Sequence, residues 1–90
     1  MERRHEHRHP YTCDVVSSLD PRALRGTVVN LSVGGACVIS AGSVERFVLL
    51  PCGFRFPDVP VPVPVLAQVR WVQPVPSEEN TFRVGLLFIA

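Results

Sequence analysis

Apolar residues in this chain fall in short runs separated by turn-forming residues, and nowhere do they recur at the three-to-four spacing of an amphipathic helix. The first run, Pro10 to Val16, reads as a strand, and Asp20-Pro21 marks a turn after it. Gly26 to Ser32 and Ala36 to Ser40 read as a second and third strand joined at the pair Gly34-Gly35. Val44 to Leu50 is a fourth apolar segment following the Ala41-Gly42-Ser43 break. Val65 to Val72 and Thr81 to Ile89 complete the set, with a polar turn over Pro74 to Asn80 between them. About six short strands without a substantial C-terminal helix predict an all-β protein, a small antiparallel barrel or sandwich.

Alternation within the runs predicts which side chains share a face. Val65, Ala67, Val69 and Trp71 fall on one side of their strand, and Leu66, Gln68, Arg70 and Val72 on the other. Pro60, Pro62 and Pro64 alternate with valines, which removes donors along one side and leaves the opposite side able to pair. That suits an edge strand or an extended connector. In Asn30-Leu31-Ser32-Val33-Gly34-Gly35, Asn30 and Ser32 point the same way while Val29 and Leu31 point the other. Two small hydrogen-bonding side chains thus lead into a glycine pair, where positive φ and close ligand approach are both open.

Composition narrows the picture. The 90 residues are 47% apolar, enough for one small domain with a core. A formal charge of +1 argues against a general nucleic-acid binder, yet every basic residue is arginine. Cys13, Cys37 and Cys52 show no zinc or thioredoxin spacing, and with no signal peptide evident they are expected as reduced thiols in a cytoplasmic protein. No apolar run approaches the ~20 residues of a membrane helix. There is no nucleophile–base pair, carboxylate cluster or metal set, so no enzyme and no cofactor is expected.

Residues 1–9 differ from the rest. They hold Arg3, Arg4 and Arg8, three histidines and two glutamates, with no apolar residue after Met1. Such a stretch cannot join a core and is expected to be a mobile arm preceding a single barrel domain, residues 10–90.

Arg3-Arg4-x-x-x-Arg8 followed by Asn30-x-Ser32-x-x-Gly35 resembles the pattern of the PilZ domain family, receptors for the bacterial second messenger cyclic diguanylate (c-di-GMP). Ala67 to Val72 and Arg83 to Phe88 resemble the family's closing strands, so the likeness covers nearly the whole chain. The resemblance implies a cytoplasmic receptor or adaptor that binds c-di-GMP and changes conformation to signal to a partner protein or fused domain. Arg3, Arg4 and Arg8 would grip guanine and phosphate, Asn30 and Ser32 would hydrogen-bond the ligand from the barrel face, and Gly34 and Gly35 would keep that surface open. Motility, exopolysaccharide production and biofilm formation are outputs it brings with it. Membrane insertion, DNA and RNA are not implied.

The ligand's chemistry agrees. Guanine presents N7 and O6 to a forked guanidinium, and its flat face accepts a stacked arginine. Three other readings stand beside this one. A PilZ-like barrel can serve as a protein-interaction module without nucleotide. A small barrel can bind single-stranded nucleic acid, which requires exposed aromatics; Phe47, Phe54, Phe56, Phe82, Phe88 and Trp71 are expected in the core instead. The histidines of the arm can bind a metal, though no matching Cys or Asp cluster follows them.

Overall fold

The computed structural model describes residues 13–90. Six strands appear in it: β1 (Cys13–Ser17), β2 (Arg25–Leu31), β3 (Gly35–Ala41), β4 (Leu49–Arg55), β5 (Val63–Pro74) and β6 (Thr81–Phe88). All neighbours are antiparallel, and the sheet closes on itself in the order β1-β2-β3-β6-β5-β4. Closure leaves no strand without two neighbours, which is how a small all-β chain satisfies its backbone.

Strict alternation fills the interior. Cys13, Val15 and Ser17 of β1 point inward, as do Val38 and Ser40 of β3, Cys52 and Phe54 of β4, and Val84 and Leu86 of β6. Phe54 meets Phe88 edge to face, with ring centroids 5.6 Å apart. The buried Ser40 hydroxyl donates to the Gly42 carbonyl at 2.9 Å, so this polar group enters the core satisfied.

The fourth strand differs from expectation. It begins at Leu49 rather than Val44, and the apolar residues before it form a loop whose Val44 is buried and whose Val48 packs against the core. Phe47 breaks the extended path with φ 68°, a left-handed conformation that costs an L residue roughly 1–2 kcal/mol. Its N–H donates to the Val69 carbonyl, and Val69 in turn donates to Val48, which fixes the loop against β5. The strand then runs through Pro51, whose carbonyl accepts from Ser18 beyond the end of β1.

Pro60 and Pro62 lie in the connector, and Pro64 lies within β5 opposite Gly53. Leu66, two residues on, directs its N–H to Ala90, away from β4. By alternation the Pro64 nitrogen faces that same side, where β6 has already ended, so no ladder bond is lost. The predicted one-sided use of proline therefore holds within a barrel rather than at an open edge.

Two bulges redirect side chains. Between β5 and β6 the register slips at Arg70, so Val69 faces Leu86 while Trp71 faces Gly85. Trp71 turns outward and Val72 packs against the core, the reverse of simple alternation. Between β2 and β3 the extra residue is Val29, leaving Val28 opposite Val38 and Asn30 opposite Cys37. Of the aromatics expected inside, Phe54, Phe56, Phe82 and Phe88 are buried or packed on the core, whereas Phe47 and Trp71 are exposed.

Candidate functional site on the outer barrel wall

Register builds the site across four strands. Asn30 pairs with Cys37, Cys37 with Gly85, and Gly85 with Trp71, so one row of residues crosses β2, β3, β6 and β5 on the outer face. With strands about 4.8 Å apart, the row spans roughly 14 Å. Asn30 is exposed, and among the described residues its amide makes no hydrogen bond. An exposed carboxamide carries one acceptor oxygen and two donor hydrogens that it can offer to a ligand.

Ser32 lies just beyond, at the mouth of the β2–β3 turn. Its N–H and its hydroxyl both donate to the Gly35 carbonyl, at 2.9 and 3.3 Å. The serine therefore holds the turn, and its hydroxyl oxygen keeps its acceptor capacity toward solvent. Val33 at the tip is fully exposed.

The two glycines of the turn do different work. Neither takes positive φ, contrary to one use expected for them; among the described glycines only Gly42 does, at 109°. A Cβ at Gly35 would collide with the backbone carbonyl oxygen of Leu86 in β6, so this glycine lets two strands approach. A Cβ at Gly34 would meet nothing within 4 Å, and the space above it is open.

Gly85 serves Trp71. A side chain at Gly85 would run into the indole, which lies over the bare backbone there with 38% of its surface still accessible. The bulge at Arg70 is what brings the ring to the wall that carries Asn30. Exposed Arg70 and Arg83 flank the row on its two sides, Arg83 lying opposite Ile39 and Gln73. The pattern of the sequence alone did not mark these three residues, because a one-residue slip in register is invisible in alternation. The sequence signal available was Trp71 itself, the one tryptophan in the chain.

Arg3, Arg4 and Arg8 lie outside the described residues, as do the arm's histidines and the predicted strand start at Pro10. Cys13, the first described residue, pairs with Val28, two positions before Asn30. Among the described residues no three metal-ligating side chains gather, and no helix is long and apolar enough to cross a membrane. A pocket of about 720 Å³ opens elsewhere on the wall, lined by Asp14, Arg25, Thr27, Arg55 and Glu78 among others. It contains none of Asn30, Ser32, Gly34 and Gly35.

Burial pushes the thiols of Cys13 and Cys52 up, that of Cys52 to about 11. Both point into the core. Cys37, on the outer row, is half-buried.

A family model described as PilZ domain matches residues 2–90 of the chain. No curated protein and no solved structure matches it.

Proposed function

The chain belongs to the PilZ domain family, and on that premise we propose that it is a cytoplasmic receptor for c-di-GMP, reading the ligand with Arg3, Arg4 and Arg8 together with Asn30, Ser32 and the glycine turn. The observation that carries the reading is the outward row from Asn30 to Trp71, polar at one end and aromatic at the other.

Such a row suits a ligand with flat purines and two phosphates. Asn30 can accept one of the N–H donors on the guanine edge, while its amide donates to a phosphate or ribose oxygen. The open space above Gly34 admits a planar ring close to the backbone. The exposed indole of Trp71 offers a stacking surface, and Arg70 and Arg83 supply positive charge beside it. The N-terminal arginines then close on the ligand from the other side, each with a fork of donors for N7, O6 or phosphate. Closure of residues 1–9 over the wall is the conformational signal, and its energy comes from charge-assisted bonds to a dianion.

Isothermal titration of c-di-GMP into the protein, beside an Arg4→Ala/Arg8→Ala double variant, tests this directly. Saturable heat in the native protein that vanishes in the variant is the expected result, and its stoichiometry distinguishes one bound nucleotide from two. Absence of heat in the native protein at millimolar ligand refutes the receptor reading and leaves a PilZ barrel acting through protein contacts alone.

A further inference from the structure

The outer face of β4, β5 and β6 carries apolar side chains that the barrel does not need. Leu49, Gln68 and Leu87 form a cross-strand row, and Leu66 and Ile89 adjoin it, Ile89 donating its N–H to the Leu66 carbonyl at 2.7 Å. Leu49 is 55% exposed and Ile89 49%. The loop before β4 adds Phe47, 58% exposed although its backbone is held in the left-handed region. A bulky residue kept in that conformation with its ring in water is strain without gain for the core. The one polar group at the centre, Gln68, is already engaged, its amide donating to the Phe47 carbonyl at 3.3 Å. A contiguous apolar wall of this kind on a small domain marks an interaction surface.

Charge at its border indicates what covers it. Arg46 stands with its guanidinium 5.3 Å from the centre of the Phe47 ring, and exposed Arg70 borders the wall at the bulge. Glu45 precedes Arg46 in the same loop. A second copy packed symmetrically would bring another Arg46 and Arg70 to the same seam with only another Glu45 to offset them, so two net-positive borders would meet. The chain's own residues 1–9 are no better matched, with Arg3, Arg4 and Arg8 against Glu2 and Glu6.

We propose that the β4–β5–β6 wall is the docking surface for a partner protein, and that the partner presents a segment with an apolar face flanked by aspartate or glutamate. The surface shares Arg70 with the proposed ligand site and meets that site's glycine turn at the Gly35–Leu87 pair, but docking on it requires no nucleotide.

The test is selection of a phage-displayed random peptide library on the folded protein, with counter-selection on a Leu49→Ser/Arg70→Glu double variant. Both substituted side chains are exposed, and an amide NMR spectrum of the variant verifies its fold. The expected yield is peptides that combine apolar and acidic residues. They bind the native protein with amide shift changes centred on Leu49, Gln68 and Leu87, and bind Arg70→Glu alone at least tenfold more weakly. Peptides without acidic residues, shifts elsewhere on the barrel, or no enrichment over the variant each overturn the proposal. So does concentration-dependent dimerisation lost in Leu49→Ser, or binding to vesicles of anionic phospholipid through the same residues, because either result assigns the wall a different occupant.

Discussion

Alanine at Gly35 and alanine at Gly34 should behave as opposites, although the two glycines are neighbours in one turn. At position 35 the new Cβ falls within contact distance of the Leu86 carbonyl oxygen, a backbone atom in the adjacent strand β6. No side chain can swing away, so β3 and β6 must part locally. Overpacking of this kind costs about 1–3 kcal/mol. The Phe88 N–H to Gly34 carbonyl bond, 2.9 Å long, lies beside the collision and its loss adds about 1 kcal/mol. The sum, about 2–4 kcal/mol, is a large share of the roughly 5–13 kcal/mol expected for a domain of this length. With a urea slope of about 1.5 kcal/mol/M, the midpoint of unfolding should fall by about 1.3–2.7 M. Alanine at position 34 meets nothing within 4 Å and needs no positive φ, so its midpoint should move by no more than about 0.3 M. Urea titrations followed by the emission of Trp71 give both numbers. Equal midpoints for the two variants would refute the division of labour between them. Ligand titration of the stably folded Gly34→Ala variant then asks the separate question of whether the open space above the turn is used. Weaker c-di-GMP binding there is the expected result.

Three further outcomes follow from the same wall and core. Asn30→Asp should tighten c-di-GMP binding about fivefold, the worth of about 1 kcal/mol from a second acceptor and a charge facing guanine N1–H and N2–H; an unchanged or larger Kd in titration calorimetry would show that this edge is not read. Iodoacetamide at pH 8 should modify Cys37 well before Cys13 and Cys52, whose thiols are buried and raised in pKa, and saturating c-di-GMP should slow that reaction; peptide mapping by mass spectrometry reads both effects. Stability should decline between pH 9 and 11: the unfolded chain loses the Cys52 proton near 9.0, while the folded one holds it to about 11, so the stability that the protonated thiol contributes is complete below pH 9 and lost above it. Cys52→Ala should flatten that slope in urea titrations across this range, with a remainder from Cys13, which shifts in the same direction.

The barrel was legible in the sequence because its strands depend on alternation and on turn chemistry, both local. Ala67 and Val69 share the inner face as their alternation predicts, and the Ser32 to Gly35 turn stands where the glycine pair placed it. What the sequence concealed was non-local. Whether Val44 to Val48 forms a strand depends on a backbone reversal at Phe47 and on bonds to β5, more than twenty residues away. The face taken by Trp71 depends on a slip at Arg70 that only the partner strand reveals. The candidate site shows the same divide. Asn30 and Ser32 announce themselves by spacing, whereas Trp71, Arg70 and Arg83 join them only through cross-strand register. Gly35 stands at the predicted turn, but one of the two uses expected of it fails: it takes no positive φ, and its missing side chain accommodates β6.

The strand order has a consequence for how the protein comes into being. Strand β6 sits between β3 and β5, and both leave the ribosome before it does. Until Thr81 to Phe88 has been synthesised and released, those two strands each present a row of unpaired amides and carbonyls, and the apolar interior stays open to water. Hairpins can form early, since β2 and β3 are joined by a short turn. The barrel itself cannot close until β6 has emerged, and its closure joins residues about fifty positions apart, such as Gly35 and Leu87. The interval of greatest exposure to aggregation therefore falls before β6 has emerged, and chaperone dependence should be greatest there rather than once the barrel has closed.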